Sequence, residues 1–248
     1  MLEGKKQGSS DHIDRIDLIE QFIKYFSKSK IECVIGDSEF IGKKWINWLK
    51  NEKISYVMNL RPSQHIANTR GEMVASKLLF THLKAGESLK LGKRKISKKE
   101  FYFSWVSGIR LLNGQLIILA SDEAIKEPCG VYKLRWGIET LFKSLKSGGF
   151  NLEDTHITDA DRVEVLLGVV AMSYTLAFIT GQKVVEKNGA VLKNHGYKIK
   201  SFVREGIDFI ISLLKNFTKK FSVIVTLFKK SSALLVEYTS CIIAKFVL

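Results

Sequence analysis

One stretch, Tyr132–Lys146 (YKLRWGIETLFKSLK), carries side chains whose types and offsets suit phosphate chemistry. On a helix advancing about 100° per residue, Tyr132, Arg135, Glu139, Lys143 and Lys146 share roughly one quarter of the circumference. That stripe sets a carboxylate among cations beside a phenol. A carboxylate so placed can hold a divalent cation, and the cations can hold phosphates. Leu134, Ile138, Leu141, Phe142 and Leu145 form an adjoining apolar face, so half of the helix is built to pack. The same offsets also suit a solvated surface helix with Arg135–Glu139 as an i,i+4 pair.

A second carboxylate, Asp37, lies just beyond the β-type run Ile31–Ile35, where ligand crevices open in α/β sheets. Carboxylates that share divalent metal ions can activate a water or a 3′-hydroxyl and stabilise the leaving oxygen of a phosphodiester. Cations around the second acid would hold the backbone, and Tyr132 could stack or hydrogen-bond beside them. An aspartate after a strand also serves as the N-cap of the next helix.

The elements that must position these groups follow from periodicity. Ile13–Phe26 and Ile41–Lys50 read as helices, and Ile31–Ile35 and Ile54–Leu60 as strands, which is an α/β layered core. Between Arg61 and Asp122 the texture turns β-rich. Phe101–Arg110, Asn113-Gly114 and Leu116–Ala120 spell a hairpin that Trp105 packs, and the lysine run Lys90–Lys99 reads as an earlier turn. After Pro128 the chain is helical almost to its end, with a break around Gly181–Tyr197.

Composition narrows the partners. Across 248 residues, 39 Lys and Arg against 25 Asp and Glu give a net charge of +14 and a pI near 9.6, so a polyanion is the first partner to consider. Cys33, Cys129 and Cys241 are odd in number, far apart and free of any CxxC framework, which suits a reducing cytoplasm. The histidines show no metal spacing. The N-terminus lacks the apolar core of a signal peptide. Val163–Gly181 and Phe209–Leu248 are apolar but interrupted by polar and charged residues; they read as buried core helices, with no membrane partner.

Tyr132-x2-Arg135-x3-Glu139-x6-Lys146 resembles the Tyr-Arg-Glu-Lys signature of the insertion-sequence-four family of DDE transposases. GDSEFIGKKW, Gly36–Trp45, resembles the motif around that family's second catalytic aspartate, with Ser38 in place of the usual arginine. KSGGFNLEDTHIT, Lys146–Thr158, is similar to the family's continuation, and the similarity runs from about Gly4 to Leu213. It implies a ribonuclease-H-like catalytic core with a β-rich insertion and a helical C-terminal region. It further implies DNA cleavage and strand transfer with Mg²⁺ or Mn²⁺. Asp37 and Glu139 would be the second and third catalytic, metal-binding acids. Tyr132, Arg135, Lys143 and Lys146 would contact DNA.

On the same resemblance, residues 1–60 are a partial core carrying the second acid and 61–122 the insertion. Residues 123–185 are the remainder of the core with the signature helix, and 186–248 the helical C-terminal region. The partners implied are double-stranded DNA, transposon terminal inverted repeats and a second copy in a synaptic complex. The location implied is cytoplasmic and nucleoid-associated. The first acid should lie on an earlier core strand. Asp11, Asp14 and Asp17 sit on the helix leading into the strand before Asp37 and cannot serve. The expectation is therefore an N-terminally truncated, inactive chain. The alternative is a non-catalytic DNA-binding or subunit-pairing fragment that inhibits intact transposase. The apolar-lysine texture of the last forty residues raises a shifted reading frame.

Overall fold

The computed structural model describes residues 10–146, 150, 152–189 and 199–215. The chain divides into two compact units, the boundary falling after Trp136. Most of the stretch Phe209–Leu248, residues 190–198 and part of the Lys146–Thr158 segment lie outside the described residues. The break expected from Gly181 is a correction: the helix that begins at Ala160 runs on without interruption to Asn188, because Gly181 is a close-approach position within it and not a stop.

The first unit opens with α1 (His12–Phe26), whose N-terminus is closed by a capping box in which Asp11 accepts from the Asp14 amide and Asp14 accepts from the Asp11 amide. Strand β1 (Val34–Gly36) follows, then α2 (Lys43–Asn51) and β2 (Tyr56–Leu60), so the strands and helices expected up to Leu60 are present. Beyond them come β3 (His65–Ala67), β4 (Met73–Ala75), β5 (Ser88–Ile96), β6 (Tyr102–Arg110) and β7 (Leu116–Ser121). They form one mixed sheet of seven strands in the order β1-β2-β7-β6-β5-β3-β4. β1 and β2 are parallel and the remaining pairings are antiparallel.

The β6–β7 hairpin is the one the Asn-Gly turn announces, with Gly114 at φ +85°. The lysine run is corrected in part: Lys98 and Lys99 lie in the connection between β5 and β6, as a turn requires, but the earlier lysines do not. Lys90–Ile96 belongs to β5, not to a turn, because β6 supplies its backbone partners from Ser88↔Ile109 to Ile96↔Tyr102. Lysines tolerate a strand whose outer face meets solvent.

The sheet buries its two faces unequally. One carries the main core, where Trp45, Ile46 and Leu49 of α2 and Ile19 of α1 pack on Val34, Tyr56, Met58, Val106, Ile118 and Ala120. The other carries a small cluster of Cys33, Ile35, Val57, Leu119 and Tyr132. Tyr132 ends the short helix α3 (Pro128–Tyr132).

The stretch Tyr132–Lys146 is not one uniform helix. A 3-10 turn, Lys133–Arg135, separates α3 from α4 (Trp136–Lys146). The apolar face expected to pack does so poorly: no residue of α4 is buried, and Phe142 is 52% exposed. The second unit contains most of α4, then α5 (Ala160–Asn188) and α6 (Phe202–Lys215). α5 is long and apolar enough to cross a membrane by length and composition alone. Ala177, Ile179 and Thr180 of its second half are buried, whereas Val165, Val169 and Met172 are exposed, so it is not the wholly buried helix expected.

Candidate functional site

Asp37 stands one residue past β1, on the backbone that turns into the 3-10 segment Ser38–Phe40. Its side chain makes no capping hydrogen bond there, so the N-cap explanation fails. Instead, Tyr132 Oη donates to Asp37 Oδ1 at 2.7 Å, and Arg135 Nη1 donates to Asp37 Oδ2 at 2.9 Å. The Arg135 guanidinium also lies 5.7 Å from the centre of the Tyr132 ring.

Local geometry explains how two residues three apart reach one carboxylate. In a 3-10 turn, positions i and i+3 eclipse. The turn over Lys133–Arg135 brings Arg135 round to the side of Tyr132, where a uniform α-helix would leave them about 60° apart. Tyr132 is anchored in the small cluster, and burial, followed by its bond to the Asp37 carboxylate, holds its phenol well above the usual range. The ion pair is half-open to water: the Asp37 side chain is 39% exposed and that of Arg135 24%. Such a pair contributes little to stability, on the order of 1 kcal/mol or less.

Two supports could not be read from the pattern. Arg15 of α1 is buried; its guanidinium sits 4.7 Å from the Phe40 ring centre and donates to the Glu39 carbonyl at 3.4 Å and to the Ser10 carbonyl. It ties α1 to the turn that follows Asp37. Burial lowers its pKa, with Glu39, Asp11 and Asp14 opposing. Gly36 is the other support. A Cβ there would lie 2.6 Å from Met58 Sδ and 3.1 Å from Phe40 Cβ, so the strand end is glycine because the turn folds back onto it.

Glu139, Lys143 and Lys146 are exposed residues of α4, in the second unit. The sheet unit thus brings together Asp37, Tyr132 and Arg135 of the expected set. A carboxylate oxygen is the donor a hard divalent cation takes, so Asp37 and Glu139 fit such an ion in kind. Among the described residues, no group of three or more His, Cys, Asp or Glu side chains is gathered to hold a metal. Elsewhere in the sheet unit, Arg61, His65, Lys98 and Lys99 line an open cleft of about 320 Å³ with Ser63, Gln64 and Ser97, a lining rich in cations.

No curated protein matches the chain. Residues 6–176, more than half of it, match the family model described as Transposase DDE domain.

Proposed function

The chain belongs to the transposase DDE domain family, and from that premise we propose that it derives from an insertion-sequence-four type transposase with a ribonuclease-H-like core. The family acts on DNA, generally with divalent metal, and is normally cytoplasmic. The observation that carries the finer reading is the meeting of Asp37 with Tyr132 and Arg135. Residues 95 and 98 positions apart, from the two segments that resemble the family's motifs, converge on one carboxylate.

In this reading Asp37 and Glu139 are the second and third acids and hold Mg²⁺ or Mn²⁺. The ion, when bound, supplies charge for the attacking and leaving oxygens of a phosphodiester. Arg135, Lys143 and Lys146 hold backbone phosphates, and Tyr132 orients the Asp37 carboxylate. Terminal inverted repeats on double-stranded DNA are the substrate, a second copy completes the synaptic complex, and the site of action is the nucleoid.

The acids near the start of the sequence do not complete the triad. Asp11 and Asp14 are used in the capping box, Asp17 is exposed on α1, and β1 stands at the edge of the sheet with no further strand beside it among the described residues. In this reading none of these three is the first acid, and the purified chain is expected not to cleave DNA. The second reading is a fragment that binds DNA or pairs with intact transposase without cutting.

Incubation of the purified chain with Mg²⁺ or Mn²⁺ and plasmid DNA tests the first point. Duplex binding that weakens on Arg135→Ala and Lys146→Ala, with no nicking, is expected; normal turnover would sink the incomplete-triad reading. Sequencing the DNA upstream of the Met1 codon then separates the two readings. A continuation through a strand bearing an aspartate supports the transposase, and unrelated sequence supports the binding fragment.

A further inference from the structure

The Asp37 carboxylate is engaged at both oxygens, and its two donors differ in kind. Tyr132 Oη donates to Oδ1 at 2.7 Å, and Arg135 Nη1 donates to Oδ2 at 2.9 Å. Tyr132 is uncharged, buried and set in the small apolar cluster, so its ring is held. Arg135 is charged, stands on the 3-10 turn Lys133–Arg135, and ends a long side chain that is partly open to water. All three residues belong to the sheet unit. One donor is fixed, and the other can swing away by side-chain rotation with the backbone unchanged.

The ion pair is built for exchange rather than for bracing. Half-open to water, it adds little to stability. The Asp37 side chain does not cap the turn that follows it, so the carboxylate is not needed to shape the backbone there. Yet each member suits a partner of another kind. A carboxylate oxygen is what a hard divalent cation takes, and a guanidinium is the side chain best matched to a phosphate. The two uses of Asp37 compete at Oδ2. A cation on that oxygen would meet a guanidinium bonded to the same atom, and the two positive charges repel. A phosphate that takes Arg135 removes the conflict. The guanidinium then trades one anion for another, while Tyr132 still orients the carboxylate through Oδ1.

We propose that Arg135 gates Asp37: paired with the carboxylate it keeps divalent cations off, and a DNA phosphate that draws the guanidinium away opens the acid to Mg²⁺ or Mn²⁺. This rests on the reading of Asp37 as a metal-holding acid and of Arg135 as a phosphate contact, and adds the coupling between them. One guanidinium at a half-open site holds a free oxyanion weakly, whereas a DNA backbone presents many phosphates at once to a chain with a net charge of +14. Two ligands that displace the same ion pair strengthen each other's binding by one factor, here about fivefold, the low end for such coupling and in keeping with a half-exposed pair.

The test uses the full chain in two titrations: Mn²⁺ without DNA, followed by electron paramagnetic resonance, and a labelled duplex without metal, followed by fluorescence anisotropy. The Mn²⁺ binding that counts is the part that Asp37→Asn removes. Arg135→Gln should strengthen that part about fivefold, whereas Lys133→Gln, which takes one exposed charge from the same turn, should change it less than about twofold. In the duplex titration Asp37→Asn should tighten binding about fivefold by freeing the guanidinium, and should do nothing in an Arg135→Gln background. An effect of Asp37→Asn that persists in that background would reduce the gate to general electrostatics and overturn it. Equal effects of the two cation variants on Mn²⁺ would do the same. Sulfate, against chloride at equal ionic strength, should not raise the Asp37-dependent Mn²⁺ binding; a rise would give the gate to any free oxyanion and overturn its assignment to DNA. The substitutions are conservative and at partly exposed positions, and an unchanged circular dichroism spectrum shows that the variants fold. Asp37-dependent Mn²⁺ binding that Arg135→Gln leaves unchanged strikes the gate alone. Mn²⁺ binding indifferent to Asp37→Asn strikes the metal reading and the gate with it.

Discussion

In the sheet unit, Trp45, Tyr56 and Phe80 are wholly buried, and the space between helices and sheet is filled by large side chains. In the pair α5–α6 the closest approach is made where side chains are missing. A Cβ on Gly181 would lie 1.7 Å from the Phe202 carbonyl oxygen, and one on Gly206 would lie 1.8 Å from that of Ala177. The first region is stabilised by apolar volume removed from water, the second by backbone brought against backbone. The residues singled out from the sequence differ in the same way, each within its own unit. Asp37, Tyr132 and Arg135 are set by a filled core, whereas α4, with Glu139, has no buried residue of its own.

The contrast can be broken first at Trp45. Trp45→Ala should destabilise the sheet unit by about 3–5 kcal/mol through lost burial and a cavity, read as a lower denaturant midpoint. A change under about 1 kcal/mol would mean that the core is not the filled one described.

Gly206→Ala comes next, at about 1–3 kcal/mol or more, because the colliding atom is backbone and cannot rotate away. The loss should appear in hydrogen exchange of α5 and α6 and leave the sheet unit unchanged. Wild-type protection in those helices would refute the close approach.

Tyr56→Phe probes the polar part of the filled core. Ser104 Oγ donates to the Ser121 carbonyl at 2.9 Å and so accepts from Tyr56 Oη at 2.8 Å. Losing that bond should cost about 1 kcal/mol at neutral pH. Burial pushes the Tyr56 phenol up to about 12 from its ordinary 10, so folding favours the protonated form. The contribution is complete below about pH 10 and is lost as pH rises through about 12. The variant should therefore lose stability less steeply across that window. Part of the slope will persist, because burial also pushes the Cys33 thiol up to about 12. Equal alkaline slopes in the two proteins would count against this assignment.

Phe142→Ala should change stability by no more than about 0.5 kcal/mol, since this ring of α4 is half-exposed. A loss near that of Trp45→Ala would show that α4 is anchored after all and would erase the contrast.

Much of the sheet unit was legible beforehand. The period of α1 and α2, the strands before Gly36 and Arg61, and the hairpin at Asn113-Gly114 follow from apolar spacing and turn chemistry within a few residues of chain. Asp37 was legible as a group beyond a strand end. The lysine run was misread because a strand with lysines on its outer face resembles a turn until its partner is known. The stripe from Tyr132 to Lys146 was drawn on one uniform helix, and the 3-10 turn at Lys133–Arg135 left no signature strong enough to see.

What the sequence by itself determined is local: which segments are helix or strand, where the acids and cations fall along them, and a charge balance suited to a polyanion. Only the tertiary structure decided which of them meet. Tyr132 and Arg135 close on Asp37 across 95 and 98 residues. A bulge at Gly92 sets the register of β5 on β6, and two glycines let α5 and α6 touch. Hydrophobic period and turn preference act over a few neighbouring residues. Register, close approach and the pairing of distant charges depend on how separate elements pack, which no single segment encodes.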